Sequence, residues 1–285
     1  MAKSTNDVAE AASPCYTGNT VGRDRIMLQN FVRAIAGVAA FGLATALGGC
    51  NASGISFNGE KGVPLADLDT SGPVPTAIAL LGPDNVRVTR GDKLAITVDG
   101  DDAGKLRFAL SEGQLGIARE GWKLGQSTKS ATVNVTLPML SDVVLAGSGN
   151  LTTDQLGGAE AKIVIAGSGM VDARAIDAQS LKVDVVGSGK LRAAGKAKDM
   201  KMTVAGSGDA EMDGLNVDTA KVDVAGSGNA RFASNGQVSA NIMGSGEVRI
   251  FGRATCKVSA MGSGKLVCEN GVTPQSDDTE AAAGQ

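Results

Sequence analysis

Four cysteines, Cys15, Cys50, Cys256 and Cys268, are the side chains of this 285-residue chain best suited to covalent chemistry. A cysteine serves as nucleophile, metal ligand, disulfide partner or acylation site according to what stands near it. Histidine is absent from the chain, which removes Ser-His-Asp triads, Cys-His dyads and His-based metal sites together. Gly187-Ser188-Gly189-Lys190 and Gly262-Ser263-Gly264-Lys265 mimic the end of a phosphate-binding loop. Both lack the loop's earlier glycine, and Leu191 and Leu266 stand where it needs Ser or Thr. Calcium-binding nonapeptide repeats require a regular Asp after the glycines, and only Asp209 meets that requirement. Asp172, Glu211 and Arg231 could be cast as the acids and base of a polysaccharide-cleaving β-helix, but their alternating sign is better explained as charge balancing. The expectation is a non-enzymatic protein with no catalytic or metal-binding set and no cofactor.

Cys50 has a distinctive context. Residues 34–47, AIAGVAAFGLATAL, are an apolar run preceded by Arg33 and followed by Gly48-Gly49-Cys50. A membrane-crossing helix needs about 20 apolar residues; this shorter run fits the core of a secretory signal, with Arg33 as its positive flank. Leu47-Gly48-Gly49-Cys50 resembles the bacterial lipobox, in which the cysteine is acylated and the chain is cut just before it. The resemblance implies a lipid anchor at Cys50, and Asn51 after it favours the outer membrane. Residues 1–26 are polar and unlike a signal flank, so translation from Met27 is the alternative start, and Cys15 receives no role. Residues 51–72, rich in Gly, Ser, Asn and Asp, read as a flexible tether.

The elements that must position everything else are repeats. Gly-Ser-Gly occurs at Gly147-Ser148-Gly149, Gly167-Ser168-Gly169, Gly187-Ser188-Gly189, Gly206-Ser207-Gly208, Gly226-Ser227-Gly228, Gly244-Ser245-Gly246 and Gly262-Ser263-Gly264. The spacings are 20, 20, 19, 20, 18 and 18 residues, a nearly fixed period that marks a repeat architecture. Apolar residues alternate with polar ones before each corner, as in Leu181, Val183 and Val185, and after it, as in Leu191 and Ala193. Period two on both sides predicts two short strands per repeat meeting at a glycine corner. A third, irregular side, such as residues 176–179, closes the coil. Coils of this size cannot bury their inward side chains alone, so they stack through parallel hydrogen bonds about 4.8 Å apart. The corner glycines permit positive φ and close stacking, and the corner serines form a structural row of hydroxyls.

Facing outward, Lys162, Lys182, Lys201, Lys221 and Lys257 form a column, with Ser239 among them, beside a second holding Asp184, Asp223 and Asn241. Beyond the corner, Asp172, Arg192, Glu211 and Arg231 alternate in sign. Interleaved charge relieves the repulsion of a bare lysine stack; a polyanion-binding lysine face is the functional alternative. Net charge is only −3, and nothing points to nucleic acid. Cys256 and Cys268 lie six residues before and six after Gly262, both inward and facing across the last coil. In an oxidising envelope a disulfide there would pin the end of the stack; ordinary buried cysteines are the alternative.

Residues 73–140 read as a less regular strand-rich cap, residues 141–269 as the solenoid, and residues 270–285 as a disordered polar tail. Aromatics are 3% of the chain, which suits thin aliphatic layers.

The series AGSGNL, AGSGMV, VGSGKL, AGSGDA, AGSGNA, MGSGEV and MGSGKL resembles the bacterial GIN-domain family of auto-transporter adhesin heads over about residues 73–269. Residues 77–119, with Gly82-Pro83-Asp84-Asn85-Val86 and Gly91-Asp92, resemble that family's leading segment. The resemblance implies an all-β, right-handed parallel β-helix (β-solenoid) of about seven coils, in the envelope, acting as an adhesin-like interaction module. It carries over no catalytic residue and no ligand. Unlike an auto-transporter, the chain shows no C-terminal membrane barrel, and its anchor would be lipid. Two other readings remain: a periplasm-facing structural lipoprotein contacting envelope components, and a polysaccharide-binding or polysaccharide-cleaving β-helix. The oligomeric state is left open.

Overall fold

The computed structural model describes residues 56–57, 60–100, 102–122 and 130–269. The leader with Cys15 and Cys50, and the tail from residue 270, lie outside the described residues. Among the described residues there is no α-helix. Two strands, β1 (Ser56–Phe57) and β2 (Glu60–Lys61), form a small antiparallel pair. Then come β3 (Ala77–Gly82), β4 (Asn85–Arg90), β5 (Ala95–Asp99), β6 (Leu106–Ser111), β7 (Gln114–Arg119) and β8 (Thr132–Leu137). The repeats follow as β9 (Asp142–Gly147), β10 (Asn150–Thr153), β11 (Leu156–Gly167), β12 (Met170–Gly187), β13 (Lys190–Gly206), β14 (Asp209–Gly226), β15 (Asn229–Gly244), β16 (Glu247–Phe251), β17 (Thr255–Gly262) and β18 (Lys265–Cys268).

Each repeat strand pairs in parallel with the next, so that Gly147, Gly167, Gly187, Gly206, Gly226, Gly244 and Gly262 stand in one register. These seven corners delimit about six turns of a β-solenoid. The alternation in the sequence dictates the interior. Leu181, Val183 and Val185 before one corner, and Leu191 after it, are fully buried, as are Met212, Phe232 and Ile250 farther along. Each such aliphatic or aromatic side chain is worth about 1.5–3 kcal/mol relative to exposure.

The third side differs from the irregular closure expected. Ile176–Ala178 pair with residues of both neighbouring coils, so β12 runs unbroken for 18 residues from corner to corner. Register shifts between Ala173 and Ile176, Arg192 and Ala194, and Met212 and Asn216 bend the strands there. Bulges of this kind absorb an extra residue in one strand, which is how spacings of 18 to 20 residues stack in one register.

The N-terminal region is itself solenoidal but threaded out of order. Gly82 stacks on Gly147, and β3 and β4 pair in parallel with β9 and β10. On their other side β3 pairs with β7 and β4 with β8, both in parallel. The coil made first is therefore enclosed by coils made later. The antiparallel strands β6 and β5 lie along β7 and β8. Val63 exchanges two backbone hydrogen bonds with Phe108 of β6, 2.8 and 2.7 Å, while Leu65 and Leu68 pack on the core. Phe57 joins Ala79, Ala109, Ala118, Val144 and Val164 in a second apolar cluster. Part of the stretch expected to be a free tether thus lies on the cap, where it covers backbone edges and apolar surface.

Candidate functional site

The corners show why glycine is needed twice. At Gly226 φ is +121°, and a Cβ there would lie 2.3 Å from the carbonyl oxygen of Gly206 in the preceding coil. A Cβ on Gly228 would lie 2.6 Å from the Gly208 oxygen. Those oxygens belong to the ladder: Ser227 N and Gly228 N donate to Gly206 O at 2.9 and 3.1 Å. The corner serine side chains are exposed along the edge.

Beyond the corner, the outward columns form a charge network. Asp172 pairs with Arg192, Arg192 with Glu211 and Glu211 with Arg231 as ladder neighbours. Arg192 Nε donates to Glu211 at 3.1 Å, and Lys190 and Arg231 each approach the same carboxylate to 3.5 Å. Arg231 also reaches Asp213, at 3.2 Å. Two coils beyond Glu211, Glu247 holds Arg249 at 2.8 Å and Lys265 at 3.0 Å, and Arg249 reaches Glu269 at 3.1 Å. The Arg192 hydrogen bond holds the Glu211 carboxyl below the ordinary glutamate value, with Lys190 and Arg231 adding to it. Arg249 and then Lys265 do the same for Glu247. Exposed pairs contribute about 0–1 kcal/mol each, so the network fixes side-chain positions more than it stabilises the fold.

Asp172, Glu211 and Arg231 do share one column, but Arg192 stands between the two acids. Arg174 engages Asp172 at 3.1 Å, so each carboxylate is tied to its own arginine. Two grooves cross this face and meet at Glu211. One, about 510 Å³, is lined by Asp209, Glu211, Asn229, Arg231, Glu247, Arg249 and Phe251 over a floor of Ala210 and Ala230. The other, about 370 Å³, runs toward Asp172 and Arg174. Among the described residues, no group of three or more Cys, Asp or Glu side chains could hold a metal ion.

The lysine column stands in register as expected, with Ser239 between Lys221 and Lys257. Lys182 pairs with Asp184, which is 4% exposed, at 3.1 Å, an ion pair without a directed hydrogen bond at Asp184 Oδ2. Asn241 Nδ2 donates to Asp223 at 2.7 Å. Burial, then Lys182, pulls Lys162 below the ordinary lysine value, and Asp184 and Asp142 oppose this.

Cys256 and Cys268 are joined as a disulfide, with Cα atoms 6.7 Å apart, across the last coil. A second constraint, which the sequence reading missed, lies at the opposite end. Asp84 and Arg119, at 0% and 2% side-chain exposure, form a two-pronged ion pair in which Arg119 Nε donates at 3.0 Å. Ala131 N donates to the same carboxylate at 2.8 Å. Gly82-Pro83-Asp84 occupies the place of Gly147-Ser148-Gly149 one coil below it. An acid at a repeat corner is the one signal that marked the site; its partner, 35 residues away, had none.

A stacked parallel solenoid of short coils in one register defines the class as a β-solenoid repeat protein. The chain belongs to the family described as "putative auto-transporter adhesin, head GIN domain", whose profile matches residues 75–254. It is similar in structure to a "putative adhesin" from Bacteroides fragilis, at 21% identity over 69% of this chain and 93% of that one, with a TM-score of 0.64. A "putative adhesin" from Parabacteroides merdae matches at 20% identity over 69% and 92% of the two chains, TM-score 0.54. A "putative lipid binding protein" from Parabacteroides distasonis matches at 23% identity over 69% and 93%, TM-score 0.54. At these identities the likeness shows the fold. No curated protein matches the sequence. Among the described residues no helix is long and apolar enough to cross a membrane.

Proposed function

We propose that the protein is a non-enzymatic, lipid-anchored interaction module of the bacterial outer membrane, a rod whose outward faces make adhesin-like contacts. The observation that carries this reading is the network centred on Glu211. Its charged side chains are already committed to one another, and they line open grooves on a surface fixed by backbone register. Such a face suits recognition, where preorganised groups lower the cost of binding. It suits general acid-base catalysis less well, because cationic neighbours hold Glu211 and Glu247 below the ordinary glutamate value, away from the near-neutral range that proton transfer favours. Family membership supports the adhesin-like role, and the Leu47-Gly48-Gly49-Cys50 sequence supports the anchor.

The anchor and the role are tested together by expressing the chain and its Cys50→Ser variant in cells fed labelled palmitate. The wild type takes up label, fractionates with the outer membrane and raises attachment of cells to host or abiotic surfaces. The variant does none of these. Equal labelling and fractionation of the two proteins would remove the lipid anchor, and equal attachment of cells with and without the chain would remove the adhesive role.

A further inference from the structure

The larger groove on the charged face carries a ligand assignment. Its walls are planar polar side chains: Asp209, Glu211 and Glu247 as acceptors, Arg231 and Arg249 as donors, and Asn229 as both. They are held before any ligand arrives. Asn229 Nδ2 donates to Asp209 at 2.9 Å while its own Oδ1 accepts from Glu247 N at 3.2 Å. Arg249 is bound on both sides by Glu247 and Glu269. At one end stands Phe251, partly exposed, in a chain with only six phenylalanines. Its alternation partner Ile250 is fully buried, so the strand turns Phe251 away from the core and against the groove.

Charge decides among ligand classes. The wall glutamates are paired with cations, Glu211 with Lys190, Arg192 and Arg231 and Glu247 with Arg249 and Lys265, so the groove offers no surplus of either sign to hold a polyanion or a polycation. An apolar ligand would strip water from these charged side chains without offering them partners. What remains is a neutral, hydroxyl-rich molecule that offers donors to the carboxylates, acceptors to the arginines and a C–H face to the ring of Phe251. We infer that this groove binds a neutral oligosaccharide, one sugar stacking on Phe251 and its neighbours hydrogen-bonding along Asn229 and Arg231. The inference rests on the reading of the protein as an interaction module and names the ligand class of that module.

The test uses the purified full-length chain in detergent micelles, labelled and applied to a printed array of neutral, acidic and basic oligosaccharides. It is therefore independent of the cellular location of the rod and of whether the anchor is present. Neutral oligosaccharides are expected to be retained over acidic and basic ones. The strongest array ligand is then titrated against Phe251→Ala, Phe251→Leu and, as a control between β4 and β5 of the cap, Lys93→Gln. Loss of the ring face weakens binding about tenfold in both Phe251 variants, and the control binds as the wild type does. Phe251→Leu keeps an apolar side chain at the site, so it separates loss of stacking from loss of folding. Retention of acidic or basic sugars alone, no retention at all, or unchanged affinity in Phe251→Leu would each overturn the assignment.

Discussion

Replacing Gly226 by alanine tests whether the corners hold the coils together. A Cβ at this position would sit 2.3 Å from Gly206 O and 3.0 Å from its carbonyl carbon, both backbone atoms of a hydrogen-bonded ladder. Neither can swing aside as a side-chain tip would. Relief requires the two coils to part at the corner, at the expense of the Ser227 and Gly228 hydrogen bonds to Gly206 O. Two such bonds contribute about 1 kcal/mol each, and a φ of +121° adds about 1–2 kcal/mol for an L side chain. The expected loss is about 3–4 kcal/mol, a large share of the roughly 5–15 kcal/mol available to a folded protein. Gly113 has φ +75° with nothing within 4 Å of a Cβ, so Gly113→Ala pays only the backbone term, about 1 kcal/mol. Gly104 is equally open without the positive φ, and Gly104→Ala should be nearly neutral. Guanidinium denaturation of the purified chain, followed by far-UV circular dichroism, orders the three. A Gly226→Ala loss no greater than that of Gly113→Ala would refute close corner stacking.

Arg119→Met strands the Asp84 carboxylate in the core and should cost about 3–5 kcal/mol in the same assay, with part recovered in the Asp84→Leu/Arg119→Met double variant. Cys256→Ser opens a loop closed over a separation of 12 residues and should cost about 3 kcal/mol, with limited proteolysis locating the new cleavage in the last coil. Gly116→Val drives a side chain into the Phe57 ring, which already lies 2.5 Å from a Cβ there. Trypsin cleavage at Lys61 should accelerate on the order of tenfold while residues 130–269 stay resistant. The Glu211 carboxyl lies below its ordinary 4.5 in the fold, so its contribution is present above that pH and is lost as pH falls through the lowered value. The stability difference between wild type and Glu211→Gln should therefore shrink on acidification from about pH 6 to about pH 3, as measured by denaturation at each pH.

The solenoid was legible because its signal is local and repeated. Period-two alternation around each Gly-Ser-Gly names inward residues such as Val183 and Leu191 without any knowledge of their partners. The outward columns follow once the register is set, which is why the alternation of Asp172, Arg192, Glu211 and Arg231 could be read as paired charge. The first coil was less visible because Pro83 and Asp84 replace the Ser and Gly of its corner. It also pairs across 65 residues, Asn85 with Asn150, so no fixed period exposes it. The bulged third side carries no simple alternation, since the extra residues shift its phase. Phe57 looked like part of a tether because its neighbours are Gly, Ser and Asn. Only the bare surface of Gly116 shows where it packs. Phe251 carried no mark in the sequence; the fold sets it at one end of the groove that Arg231 and Arg249 line.

Proteinase K treatment of intact cells, read with an antibody to the solenoid, is the most direct test of a displayed interaction rod. The account predicts that the rod is cut free or digested without lysis, with cleavage ahead of Phe57. Complete protection until the outer membrane is opened would contradict it and leave a periplasm-facing structural lipoprotein.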